Sequence, residues 1–149
     1  MIADASAGSQ APAPLRGTRV VEFTHMVMGP AVGAILVELG AEVIKVEPVG
    51  GDATRQLRGS GAGYFSMYNR NKKSVCLNLK DPRGLELARQ LAASADVVVE
   101  NFRAGTMDKL GLGYEALAAA NPRLIYCSEK GFLSGPYEHR TALDEVAQM

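Results

Sequence analysis

A strand, a helix and a second strand follow one another within about 30 residues near the start of this chain, the size of a βαβ unit, and that succession limits its fold more than any other feature. Arg19-Val20-Val21-Glu22-Phe23 is a short β-rich run, and the polar turn Thr24-His25-Met26-Val27-Met28-Gly29 delivers Pro30, a residue favoured at the first position of a helix. Val32, Ile35, Leu36 and Leu39 recur at helical spacing, and Gly40 is placed as a left-handed stop. Glu42-Val43-Ile44-Lys45-Val46-Glu47 is short and branched and is closed by Pro48, as expected of a strand.

The alternation continues. Residues 49–71 show no clear periodicity and carry Gly50, Gly51, Gly59, Gly61 and Gly63, so they read as a long connection with one short helix near 64–68; loops of that length are usually functional. Residues 74–79 make the next strand, and Asp81-Pro82 supplies an N-cap and first-turn proline for a helix carrying Leu85, Leu87, Ala88, Leu91 and Ala92. The unbroken branched run in Asp96-Val97-Val98-Val99-Glu100 reads as a buried parallel strand. Helices are expected at 106–110 and 114–120, a fifth strand at 124–128, and the beginning of another helix at 141–149. The fold class is therefore α/β, an open, mostly parallel sheet with flanking helices, with ligands expected outside the carboxyl ends of the strands.

At 149 residues the chain suits one domain. A hydrophobic share of 47% with 21% charged residues is that of a globular protein, and no apolar run approaches the roughly 20 residues of a membrane span, so no membrane partner is expected. Residues 1–14 are rich in Ala, Ser, Gly and Pro and lack a basic start and an apolar core, so a disordered tail is expected rather than a signal peptide, and a cytoplasmic location with it. Residues 15–149 form the expected domain, truncated at its C-terminal end. Cys76 and Cys127 lie in apolar strand-like runs and read as small buried hydrophobes.

Charge is distributed unevenly. Between Thr54 and Arg83 there are seven Lys or Arg and one acid, a net of +6, in a chain that sums to zero. Such a local patch implies a local anionic ligand such as a phosphate-bearing cofactor and argues against nucleic acid. Lys45-Val46-Glu47, Asn69-Arg70-Asn71-Lys72-Lys73-Ser74 and Val98-Val99-Glu100-Asn101-Phe102 set cations and amides at the ends of apolar strands. Arg70, Lys72 and Lys73 read as phosphate ligands, with a solvated face the alternative that weighs equally for Arg70 and Lys73, and Arg70 and Lys72 belong to the expected binding rim. Lys80, Asn101, Arg103 and Lys109 fall at or just beyond strand ends expected to neighbour one another, and Phe102 reads either as a stacking face for an adenine or as an aromatic closing the core edge. The turn after the first strand lacks Gly-x-Gly-x-x-Gly and no P-loop occurs, which argues against a nicotinamide, flavin or P-loop nucleotide. His25 stands at a strand's carboxyl end as an auxiliary candidate, with the alternative that it merely fixes its own turn, and His139 reads as solvated. Neither has the companions of a metal site or a triad, so no metal is expected. Glu47, Glu100 and Glu129 read as partners of the basic rim or of turn amides.

Leu15-Arg16-Gly17, Val20-Val21-Glu22-Phe23, Gly29-Pro30, residues 39–47, Gly51-Asp52, residues 69–74, residues 95–102 and residues 121–126 together, in this order, resemble the class III coenzyme A transferases, the family of formyl-CoA transferase and carnitine CoA-transferase. The resemblance implies a Rossmann-like N-terminal CoA-binding domain of a subunit about 400 residues long, two of which interlock as a homodimer. It also implies that the ligands are coenzyme A or an acyl-CoA and a small carboxylic acid. By that resemblance Val27 and Met28 line CoA after the first strand, and Leu77, Asn78, Leu79 and Lys80 lie near its adenosine end. Asn101, Phe102 and Arg103 receive the nucleotide, and Lys109 is a basic residue on the following helix.

The chain departs from the formyl-CoA transferase pattern at Val27 (there a glutamine), Pro48 (an arginine) and Leu143 (a tyrosine), so CoA carries over as ligand while formyl-CoA and oxalate do not. The family's nucleophile is an aspartate that attacks the acyl thioester, forms a mixed anhydride and releases CoA thiolate. It is expected beyond residue 149, which leaves no catalytic residue in this chain and predicts that the chain alone is inactive. Asp144 is not its counterpart. The related α-methylacyl-CoA racemases, the enzymatic alternative, carry a histidine where Leu143 stands, which argues against racemisation. The alternative outside enzymes is a non-catalytic CoA-binding module.

Overall fold

The computed structural model describes residues 13–142. Among them β1 (Arg19–Phe23), β2 (Glu42–Glu47), β3 (Lys73–Cys76), β4 (Val97–Glu100) and β5 (Ile125–Ser128) form one sheet in the order β3-β2-β1-β4-β5. Every neighbouring pair is parallel: Val20 lies opposite Val43 on one side and Val97 on the other. The helices are α1 (Met28–Glu38), α2 (Tyr64–Asn69), α3 (Pro82–Ala93), α4 (Thr106–Lys109) and α5 (Tyr114–Ala120). All five strands therefore point their carboxyl ends at one rim. The strand order reverses between β1 and β4, the place where open α/β sheets open a crevice for ligands.

Both faces of the sheet are covered, which is why the central strands are branched without alternation. Val20, Val43 and Val99 pack with Val32 and Leu36 of α1, while Val21, Phe23 and Val98 pack with Ala88 and Ala92 of α3 and Leu117 of α5. Complete burial of a Val or Phe side chain contributes roughly 1.5–3 kcal/mol, so the middle of the sheet is its most stable part. α3 starts as its sequence dictates: the Asp81 carboxylate accepts from the N–H groups of Arg83 (2.9 Å) and Gly84 (3.3 Å), with Pro82 in the first turn.

Some expectations shift. α1 starts at Met28, so Pro30 is its third residue, still within the turn where a missing N–H costs nothing. β3 ends at Cys76 rather than 79: the Leu77 N–H makes the last ladder bond, to the Glu47 carbonyl, and residues 78–81 then turn into α3. Cys76 is exposed on this edge strand, not a buried hydrophobe, and Cys127 is half-buried. The long connection contains two 3₁₀ turns, Ala53–Gln56 and Gly59–Gly61, as well as α2. The expected disordered tail lies outside the described residues except for its last two, 13 and 14; the comparisons at Leu143 and Asp144 and nearly all of the expected terminal helix also lie outside. Among the described residues no helix is long and apolar enough to cross a membrane.

Candidate functional site

The crevice between the ends of β1 and β4 is built from two loops tied together. The His25 N–H donates to Asn101 Oδ1 at 3.0 Å, and Asn101 Nδ2 donates back to the His25 carbonyl at 2.9 Å. Asn101 thus stitches the two strand ends, with the Phe102 ring 5.8 Å from that of His25. Gly29 is obligatory beneath them: a Cβ there would stand 2.7 Å from Thr24 Cβ and 3.0 Å from Asn101 Cγ. Met26 is left-handed, at φ 62°, a conformation that non-glycine residues seldom adopt and that concentrates at functional sites. Val27 and Met28 follow at the start of α1, which no side chain among the described residues caps, so its first N–H groups stand at the crevice without a side-chain acceptor among them.

Directly below, charge is buried in the sheet. Glu22 is wholly inaccessible in the middle of β1, and its carboxylate accepts from Lys72 Nζ at 2.9 and 3.0 Å. Lys72 also donates to the carbonyl of Pro30 (2.7 Å) and to Asn69 Oδ1 (3.2 Å). Lys45 Nζ lies 3.6 Å from Glu22 and 3.1 Å from Asp52 Oδ2, and donates to the Thr24 carbonyl at 2.7 Å. Lys45 and Lys72 are each only 1% exposed in their side chains, so neither is a rim cation as the sequence suggested. Burial pushes the Lys72 ammonium below its ordinary value, opposed by the charge of Glu22. Gly33 of α1 makes room for the pair, since a Cβ would fall 1.9 Å from Glu22 Oε2 and 2.7 Å from Lys72 Nζ. Gly33→Ala is expected to cost about 2–3 kcal/mol in urea denaturation although alanine is the better helix former; a gain in stability would contradict this packing.

A second buried carboxylate, Glu47, receives Arg55 in a fork at 2.7 and 2.8 Å, the Ser74 hydroxyl at 2.6 Å and the Asp52 N–H at 2.8 Å. Arg55 above all holds it down at a pKa of about 2, against the opposing effect of burial. Glu100 accepts from Lys130 at 2.6 and 2.7 Å and from the Phe102 N–H at 2.9 Å, the turn-amide role expected of it. Glu129 differs from that expectation. Both its oxygens are buried without a hydrogen-bond partner among the described residues, and burial, then Glu22 and Glu100, push its pKa up.

The remaining predicted residues are spread along the rim. Leu77 and Leu79 are partly buried against the core, Asn78 Oδ1 accepts from the Lys80 N–H at 3.1 Å, and the Lys80 side chain is exposed. Arg103 and Lys109 are exposed after β4 and at the end of α4. Lys80 does not neighbour them, because β2 and β1 separate β3 from β4; three strand spacings amount to about 14 Å. A ligand touching all of these must be elongated. Arg70 turns aside to pair with Glu38 at 2.6 Å, and Lys73 pairs with Glu42. On the opposite face of the sheet from α1, a cleft of about 260 Å³ lined by Glu100, Arg103, Tyr114, Tyr126 and Lys130 adjoins the crevice. Sequence reasoning missed Thr24, Asp52 and Thr54, and misplaced Lys45 and Lys72. The signal was Glu22 and Lys45 standing inside otherwise apolar strands, where a charge must be paired.

The family model for CoA-transferase family III matches residues 15–149. The chain belongs to CoA-transferase family III. Among relatives of this family III chain, the succinyl-CoA:glutarate CoA-transferase of Mus musculus is 44% identical over 140 residues, covering 90% of this chain and 32% of the relative. The acetyl-CoA:oxalate CoA-transferase of Acetobacter aceti is 46% identical, covering 91% and 36%. A crystal structure of a CaiB/BaiF family protein from Brucella suis superposes with a TM-score of 0.84 at 46% identity, covering 91% of this chain and 38% of that one. The family III chain thus spans about a third of the length of the curated relatives it matches.

Proposed function

We propose that these residues form the CoA-binding part of a class III CoA-transferase that moves CoA between small carboxylic acids. The observation that carries this reading is the family match across residues 15–149, which joins the chain to relatives named for CoA exchange among succinate, glutarate, acetate and oxalate. The chemistry divides accordingly. An aspartate beyond residue 149 attacks the thioester carbonyl, the C–S bond breaks and CoA leaves as thiolate. The thiolate then attacks the aspartyl carbonyl of the mixed anhydride and expels the donor carboxylate. The acceptor carboxylate attacks the aspartyl thioester so formed and releases the thiolate again, and the thiolate attacks the acceptor's carbonyl in this second anhydride to give the new acyl-CoA and free the aspartate. The residues described here bind and orient CoA: exposed Lys80, Arg103 and Lys109 meet its phosphates along the rim, and Asn101 with Phe102 shapes the crevice. In the whole protein two subunits interlock.

Titration of the chain with CoA by calorimetry tests this. Charge reversal of Lys80 together with Lys109 is expected to weaken binding about 30-fold, near 2 kcal/mol, two charge-assisted contacts each discounted for exposure. Raising the salt concentration is expected to weaken binding by the unaltered chain as well. Unchanged affinity in the double variant would remove the rim as the CoA site.

A further inference from the structure

We propose that Thr54, oriented by Asp52, is a positioning residue that locks the loop after β1 in its left-handed form at the crevice. The inference rests on the CoA-binding reading only for its consequence, not for its geometry. Thr54 belongs to a 3₁₀ turn 28 residues away in sequence, is 2% exposed, and touches the loop at two atoms of Met26: the Met26 N–H donates to Thr54 Oγ1 at 3.2 Å, and Met26 Sδ lies 4.0 Å from the same oxygen.

A hydroxyl has one proton and two lone pairs, and here the proton is committed. Thr54 Oγ1 donates to Asp52 Oδ1 at 2.7 Å, and the same oxygen of Asp52 accepts the Thr54 N–H at 2.8 Å. Asp52 is 5% exposed, yet it stays ionised: burial pushes its pKa up, but the N–H and O–H of Thr54 and the nearby Lys45 ammonium outweigh that and hold it below its ordinary value. Lys45 stands 3.1 Å from the other oxygen, Oδ2, held by charge rather than by a formed hydrogen bond. An ionised carboxylate accepts only, so the Thr54 hydroxyl must point its proton at Asp52 and turn a lone pair toward Met26. The same Lys45 donates to the carbonyl and hydroxyl of Thr24, two residues before Met26. The loop is thus gripped at the left-handed residue and two residues before it by one buried group of charges. A φ of 62° at a methionine persists only where its surroundings impose it. The next two residues are Val27 and Met28, the positions expected to line CoA, and their backbone direction follows from that of Met26.

The decisive comparison is Thr54→Val against Thr54→Ser, read by amide hydrogen exchange and by CoA titration of the whole chain. In Thr54→Val exchange at the Met26 N–H is expected to rise about tenfold, the loss of one neutral hydrogen bond, while the amides of Val21 and Val98 in the central strands keep their protection. CoA affinity is expected to fall by about fivefold or more, and Thr54→Ser, which keeps the hydroxyl, is expected to restore both. Thr54→Ala serves where valine is not accommodated. Unchanged Met26 exchange in the valine and alanine variants overturns the proposal, and so does a loosened Met26 with unaltered CoA affinity. Failure of the unaltered chain to bind CoA would strike the proposed function instead; the exchange comparison needs no ligand and would still decide whether Thr54 holds the loop.

Discussion

Glu22→Ala is expected to lower the stability of the chain by about 3–5 kcal/mol in urea denaturation, the largest effect of any substitution considered. The variant leaves the Lys72 ammonium buried with the Pro30 carbonyl and Asn69 Oδ1 as its hydrogen-bond acceptors and the charge of Asp52 acting on it without a direct contact, while Lys45 retains Asp52. The ammonium can escape by shedding its proton, which from an ordinary lysine at pH 7 costs about 4–5 kcal/mol and so limits the loss. Replacing Glu22 and Lys72 together by methionine is expected to recover most of the stability, because the cost lies in the stranded charge and not in the absence of the pair. A loss below about 1 kcal/mol in Glu22→Ala would show that water reaches this site.

Acid is expected to remove about 2–3 kcal/mol of stability through Glu47. Its folded pKa of about 2 lies below the ordinary 4.5, so its contribution is complete above about pH 5 and is lost as pH falls through 4.5 toward 2. The lower part of the range allows for Arg55, 41% exposed and partly screened by solvent. Asp52, also held below its ordinary value, adds in the same direction. Stability measured against pH should fall less steeply between pH 5 and 2 in Glu47→Gln, and an unchanged slope would contradict the assignment.

The framework of the fold was legible because it rests on local rules. The bounds of β2 and the position of α5 follow from Pro48, Asn121-Pro122 and branched or helical spacing. The carboxyl-end location of His25, Asn101 and Phe102 follows from alternation alone. What alternation does not contain is the pairing of charges across the sheet: Glu22 and Lys72 are 50 residues apart, and Lys72 shares a run with Arg70 and Lys73 that is solvated on either side of it. A run of cations reads as one surface, although a single turn sends its middle member inward. Strand order, which places β3 at the edge and so parts Lys80 from Lys109, is not written in any one segment.

The reversal of strand order between β1 and β4 also sets a timetable. β1 can pair with β2 once some 23 further residues have emerged, Arg19 meeting Glu42, and β3 can add soon after. The other edge of β1 must wait for Val97, and the two hydrogen bonds between His25 and Asn101 join residues 76 apart. Closing so long a loop is slow, and until it closes the central strand has an open, apolar flank. The crevice therefore cannot form until β4 has emerged during synthesis, with only β5 still to be added beyond it, and the half-sheet of β1, β2 and β3 that precedes it is the species most exposed to misassociation.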